Sequence, residues 1–328
     1  MATKPQIAII GAGLAGLTLA QRLAPVADLD IFEKSQGLGG RMSTRRATDH
    51  QFDHGAQYFT VQTASFSRFL APFIASGQVA QWQPRIVALR DGKQSPVVWN
   101  APRYVAVPGM TALCKAMSTG LDVHRGQRVA GLRRMAENWT VMLEDGTEKP
   151  GYDWVLSTAP AEQSALLLED LADWTTIRMQ GCYSLMLGFE TDVGLPFDAA
   201  VVQNSPLAWI ANNRSKPGRE AKPSIMCQSD NAWAEDWMEA DQSEVRQKLC
   251  DAFAELTRVD PGEASYVGLH RWRFAKVRSP ATEPFLFDPV TCVGAAGDWC
   301  GQGRVETAFS SAEALAEVVL QAINRRAA

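Results

Sequence analysis

The sequence predicts an α/β protein: a domain wound around a parallel sheet, and a second α+β domain built on a mixed or antiparallel sheet. Three observations carry this prediction. Residues 7–16 read Ile-Ala-Ile-Ile-Gly-Ala-Gly-Leu-Ala-Gly, an apolar run closed by a GxGxxG turn, and Glu33 ends a second apolar run twenty residues after Gly13. At the far end, residues 290–308 read as strand, glycine turn, Asp298 and helix. Between them, residues from about 161 to 285 alternate strand-like stretches with one amphipathic helix, and a chain of 328 residues has room for about two domains.

The continuous apolar run Ile7–Ile10 suits a strand buried on both faces. In the turn that follows, Gly11 makes the tight bend, Gly13 lets the backbone approach a pyrophosphate, and Gly16 lets the helix pack on the strand. Ala12 and Leu14 belong to the same phosphate-facing turn, and the helix N-terminus supplies free N–H groups. Leu14, Leu17 and Leu23 then recur at helical spacing. Leu29–Phe32 form the second strand, and Glu33 is placed to accept from ribose hydroxyls. This is a Rossmann-like βαβ unit, and by itself it specifies a dinucleotide, with NAD as the default.

A second glycine-rich turn, Gly37–Ser43, follows closely. Gly40 allows close backbone approach, Arg41 offers a donor fork for a pyrophosphate, and Arg45 and Arg46 read as solvated. In Phe52–Phe59, small residues flanked by polar and aromatic ones suit a backbone laid against a flat ring. Ala56, Gln57 and Tyr58 are the contact candidates there, and His54 reads as a structural hydrogen-bonding residue. A helix is expected over 64–76, with Phe66, Phe69, Leu70 and Phe73 on one face. Strands are expected over 79–89 and 96–106, split by an Asp91-Gly92 turn, and Val107-Pro108-Gly109-Met110 leads into a helix near 110–118. Residues 121–157 read as β structure, with Trp139–Leu143 pairing across Asp145-Gly146 with Tyr152–Leu156.

The later segment offers strands at 182–190, 199–203, 207–211 and 223–229. Its helix carries Val245, Leu249, Phe253 and Leu256 on one face. Most of its tryptophans read as core. In the terminal block Asp298 sits at the carboxyl end of a strand, where ligands of parallel sheets bind, and a long helix starts at Val305. The N-terminus of that helix can face developing negative charge.

Composition excludes several classes. The net charge of −4 leaves no basic footprint for nucleic acid, and no run is long enough to span a bilayer. The six cysteines are scattered, and no His or Cys stands at metal-ligand spacing, so no metal is expected and reduced thiols in a cytoplasmic protein are. Residues 7–20 read as the first strand and helix rather than as a leader.

The fingerprint at one end, the Gly39-Gly40-Arg41 turn and the Gly297-Asp298 ending together resemble the FAD-dependent oxidoreductase superfamily of amine oxidases, phytoene desaturases and renalases. Within it, Gly39–Thr44, Gly55–Tyr58, Val107–Met110 and Gly297-Asp298-Trp299 resemble the bacterial renalase-like proteins. The resemblance implies an FAD-binding Rossmann-like domain of the glutathione-reductase type. It implies that Asp298 contacts FAD, that Val305 opens a helix aimed at the flavin, and that the Val129 backbone holds the adenine. It also implies oxidation of the 1,2- and 1,6-dihydro isomers of NAD(P) to NAD(P)⁺ by hydride transfer to flavin, with O2 or another acceptor reoxidising it. The substrate is then itself a small-molecule dinucleotide. With no segment resembling a covalent flavin attachment site, FAD is expected to be non-covalent.

Arg304 stands where amine oxidases often carry a cage aromatic, and its charge repels an ammonium group. Hydride transfer from an electron-rich ring needs no strong base, so no catalytic dyad is expected. Tyr58, Trp272, Trp299 and Arg304 are the candidates for lining the substrate site. The expected domain division is 1–62, 103–160 and 286–328 for FAD, and 63–102 with 161–285 for substrate. Two alternatives stand beside this reading: a flavin amine oxidase or dehydrogenase of another substrate, and a non-enzymatic binding module on the same fold.

Overall fold

The computed structural model describes residues 4–91, 93–99 and 101–327, so Gly92 of the expected Asp91-Gly92 turn lies outside the described residues. The fold grows from the buried strand Gln6–Ile10, whose Ile7, Ala8 and Ile9 are fully inaccessible. It pairs in parallel with Asp28–Glu33 on one side and Trp154–Ser157 on the other. Val123–Arg125 extends the sheet beyond Asp28–Glu33, Val293–Ala295 extends it beyond Trp154–Ser157, and an antiparallel strand, Leu286–Asp288, closes that edge. Neighbours therefore leave the first strand in opposite directions, which opens a crevice at its carboxyl end, where parallel sheets bind ligands. The helix Leu14–Leu23 and the terminal helix Val305–Ala327 pack together with Leu17, Leu19, Leu315 and Val319 in the core.

The second sheet is mixed. Its order is Tyr266–Ser279, Arg178–Gly188, Ser224–Ser229, Leu207–Asn212, Ala199–Gln203, Ile86–Arg90, Lys93–Pro96, antiparallel except between Ala199–Gln203 and Ile86–Arg90. The amphipathic helix Gln242–Thr257 covers one face through Val245, Leu249 and Phe253, and Asp241 caps its first turn. The other face turns toward the crevice. The helix Ala64–Ala75 forms as its spacing predicts, burying Phe66 and Leu70 and bringing Phe69 against Phe309 of the terminal helix.

Three local expectations differ from the structure. Trp139–Leu143 pairs with Glu148–Tyr152, not with residues up to 156; Trp154–Ser157 is a separate strand in the parallel sheet, because its four residues are all buried and need partners on both sides. The stretch 79–89 splits. Val79–Trp82 pairs with Arg103–Ala106, whereas Ile86–Arg90 joins the large sheet. The longest strand, Tyr266–Ser279, was not anticipated: it is half-exposed along most of its length and rich in basic residues, so it shows no apolar alternation. No helix among the described residues is long and apolar enough to cross a membrane.

Candidate active site

A cavity of about 1190 Å³ runs from the end of the first strand to the face of the second sheet. Pockets for small ligands usually hold roughly 300–1,000 Å³, so this one is large enough for an extended dinucleotide with space beside it. Of the cofactor candidates, Gly11, Gly13, Leu14, Glu33, Gly40, Arg41, Ala56, Val129, Asp298 and Val305 line it. Trp272 and Arg304 of the substrate candidates do so as well.

The turn is built as its glycines require. Gly11 takes φ +103°, and a Cβ on Gly16 would stand 1.9 Å from the Gly11 carbonyl oxygen. Gly16 therefore works by packing, away from the cavity. No side chain caps the helix that begins at Leu14, which leaves its first N–H groups for an acceptor from outside the chain. Glu33 is buried and locked: its carboxylate accepts from the Ala12 N–H at 3.0 Å and the Ser35 N–H at 2.8 Å. Ala12 thus serves the site through Glu33 rather than by facing the cavity.

Arg41 and Asp298 meet across 257 positions, the guanidinium donating to both carboxylate oxygens at 2.7 and 2.6 Å. The pair joins the second glycine turn to the terminal turn. The helix opening at Val305 is fixed by Glu306, whose buried carboxylate accepts from the N–H groups of Gln62 at 2.8 Å and Thr63 at 2.6 Å.

Opposite stands a wall of rings. His54 lies 5.1 Å from Trp272 and 4.9 Å from His270, and His270 lies 4.3 Å from Trp272, centroid to centroid. Trp272 is held by donating its indole N–H to the His54 carbonyl at 2.8 Å. Burial, with His270 and Arg45 close by, pushes His54 down to about 3; burial, with Arg45 and Lys34, pushes His270 down to about 4. Both imidazoles are neutral at pH 7. Trp209, Gln228 and Cys182 complete this wall. Composition and spacing do not single these three out, because the three expected strands that present them read as core. His270 comes from the unpredicted strand Tyr266–Ser279, which also carries Trp272.

Three candidates lie elsewhere. Trp299 is fully buried, donates to the Ala159 carbonyl at 3.0 Å and packs on Trp174, so it supports the terminal turn from behind. Tyr58 sits among Trp82, Trp99, Trp209 and the Arg103 guanidinium, behind the wall. Gln57 is drawn into a buried polar cluster, donating to the carbonyls of Asp53 and Gly55 and accepting from Lys216. In each case a neighbour outcompetes the cavity for the side chain.

Charge divides the cavity unevenly. Its carboxylates are engaged: Asp298 with Arg41, Glu144 with Arg128, Glu33 with backbone. Arg45, Lys276 and Arg304 line it with no carboxylate within 4.0 Å among the described residues, and Lys34 reaches only the Gln163 amide.

Comparison with known proteins gives a consistent result. The sequence profile for a NAD(P)-binding Rossmann-like domain matches residues 9–73, and that for flavin containing amine oxidoreductases matches residues 88–320. Among solved structures, a protein described as a protoporphyrinogen oxidase from Exiguobacterium sp. 255-15 is similar, with TM-score 0.77, 11% identity, and 98% of this chain and 100% of that one covered. Cyclohexylamine oxidase from Brevibacterium oxydans IH-35A gives TM-score 0.76 at 11% identity, covering 98% and 100%. Putrescine oxidase bound to putrescine gives 0.71 at 10%, covering 97% and 99%. At such identities these likenesses describe the fold.

Proposed function

Because the chain belongs to the flavin containing amine oxidoreductases and its cofactor is FAD, we propose that it oxidises isomeric dihydronicotinamides, the 1,2- and 1,6-dihydro forms of NAD(P), rather than amines. The observation that carries this reading is the charge of the cavity. Every lining carboxylate is engaged, while Lys34, Arg45, Lys276 and Arg304 have no carboxylate within 4.0 Å among the described residues. Such a surface attracts a phosphate-bearing dinucleotide and repels an alkylammonium ion.

FAD, when bound, supplies an acceptor for hydride. The protein's own residues position and exclude. The unspent N–H groups at Leu14, with Arg41, suit the pyrophosphate; Glu33 suits the adenosine ribose; and Gly55 and Ala56, which line the cavity, would offer backbone to the flavin ring. Trp272, held by its bond to the His54 carbonyl, offers a flat face for a dihydropyridine ring, and the neutral imidazoles of His54 and His270 add no charge beside it. No proton is moved by a side chain, since the donor ring is already electron-rich.

The test is anaerobic mixing of the purified protein with 1,2-dihydro-NAD, following flavin absorbance. Bleaching by the dihydronicotinamide but not by primary amines is expected. Bleaching by an amine while the dihydronicotinamide leaves the flavin oxidised would replace this reading with that of an amine oxidase. A second acceptor is distinguished from O2 by reoxidation rates with and without oxygen.

A further inference from the structure

Beneath the loop that presents Gly55 and Ala56 lies a charged cluster with no access to solvent. The Asp53 side chain is fully buried. It accepts from Lys216 at 3.3 Å and from the Arg219 guanidinium at 3.2 and 2.7 Å, as well as from the Thr44 hydroxyl and the Met110 N–H. The Lys216 and Arg219 side chains are 0% and 1% exposed. One carboxylate thus faces two cations, and a net positive charge remains inside the protein. Lys216 completes its shell with neutral acceptors only, Gln57 Oε1 and Asn213 Oδ1, both at 3.1 Å. Isolated buried charge is costly unless something nearby compensates it.

The cluster is bonded directly to the cavity wall. Gln57 takes the Lys216 ammonium on its oxygen and donates its amide to the Gly55 carbonyl. The Ala56 N–H donates to the Arg41 carbonyl at 2.8 Å, which continues the path to the turn holding Asp298. Gly55 and Ala56 line the same cavity as Trp272, Arg304 and Val305. Lys216 donates to three acceptors, Asp53, Gln57 and Asn213, which only its charged ammonium form can do, although burial pushes it down to about 8 against the pull of Asp53.

We propose that Lys216 is a positioning residue that acts through the Gln57–Gly55 segment and its own buried charge to favour the reduced, anionic flavin. A positive charge in a low-dielectric region beside a site that gains negative charge lowers the cost of that gain, and salt does not screen it as it screens the rim cations. The inference requires only that FAD binds, and it does not depend on the dihydronicotinamide reading.

The experiment uses FAD-loaded protein without substrate and reads the dissociation constant for sulfite, which adds to electron-poor flavins, together with the midpoint potential. Asn213→Asp places a carboxylate against Lys216 with almost no change of shape, and Lys216→Met removes the charge at similar volume. Both are expected to weaken sulfite binding at least tenfold and to lower the potential correspondingly, by about 30 mV for a two-electron couple per tenfold. Asp53→Asn raises the net buried charge and is expected to shift both readouts the other way. These shifts should persist at high ionic strength. A role limited to holding the loop would lower thermal stability without opposite shifts from opposite charge changes. The proposal is overturned if Asn213→Asp and Lys216→Met leave sulfite affinity unchanged, or if all variants shift it in one direction. If Asp53→Asn does not fold, the first two variants decide alone.

Discussion

Replacing His54 by Met should remove a specific part of the protein's acid sensitivity. The imidazole is buried against Trp272 and His270 and is held at about 3 in the folded state, against about 6.5 for a free histidine. Between those values the unfolded chain carries the proton and the folded chain does not. Acidification therefore favours unfolding, and stability falls as pH drops from about 6.5 toward 3. Each pH unit inside that window is worth about 1.4 kcal/mol, so His54 alone costs the protein about 2 kcal/mol at pH 5 relative to pH 7. His270, at about 4, works in the same direction, but it is more exposed and its share is smaller through solvent screening. The assay is urea unfolding of wild type and His54→Met between pH 8 and 4.5, with the difference in unfolding free energy plotted against pH. Carboxylates common to both proteins cancel in that difference. The curve should be flat above pH 7 and then turn in favour of the variant below about 6.5. A difference that stays flat down to pH 5 would refute the reasoning and show that His54 is protonated, or solvated, in the folded protein. Met is suited to the exchange because it fills irregular apolar space without a titrating group.

Other perturbations test the parts of the site separately. Glu33→Ala frees the Ala12 and Ser35 N–H groups and removes the acceptor proposed for the ribose; a loss of about 1.5–3 kcal/mol, or roughly 10- to 100-fold in FAD affinity, is expected by fluorescence titration of the apoprotein. Glu306→Gln keeps the shape but satisfies only one of the two N–H groups of Gln62 and Thr63, and should cost about 1–3 kcal/mol in urea unfolding. An unchanged midpoint would mean that the terminal helix is held without Glu306. On the proposed dihydronicotinamide reading, Arg304→Ala should raise KM for that dinucleotide several-fold, leave kcat nearly constant and flatten the salt dependence of kcat/KM. A fall in kcat at constant KM would place Arg304 in the hydride-transfer step instead. Trp299→Phe should leave substrate KM unmoved and show its effect in thermal stability alone, since its indole faces Ala159 and Trp174.

Much of this was legible because it is local. A glycine at φ +103° in Gly11, an apolar run too continuous for an exposed strand, and an acidic residue at a set distance each act over a few residues, and the resulting cavity contains them together. The Gly-Asp ending was legible for the same reason. Apart from Trp272, the wall of rings was not. His270 and Trp272 lie on a strand whose sequence shows no alternation, because bulges and a half-exposed edge position remove the period of two. Lys216 and Arg219 sit in a stretch that reads as a polar surface loop, yet both are buried, because Asp53 meets them from more than 160 positions away. Tyr58 and Trp299 looked suitable for the site by type and position, and only the packing of Trp82, Trp174 and Trp209 shows them turned from it.

By itself the sequence determined the nucleotide-binding unit, the α/β plan with its second sheet-rich domain, and the short turns that line the cavity. Backbone conformation and strand burial are decided within a few residues, so the Gly11 turn and the strands around it need no distant partner to be read. Only the tertiary structure decided which side chains are spent on one another and which remain for a ligand. It joined Arg41 to Asp298, enclosed Lys216 with Asp53 and left Arg304 without a carboxylate among the described residues. The net charge of a cavity is a sum over pairs formed across hundreds of positions, and no local pattern encodes that sum.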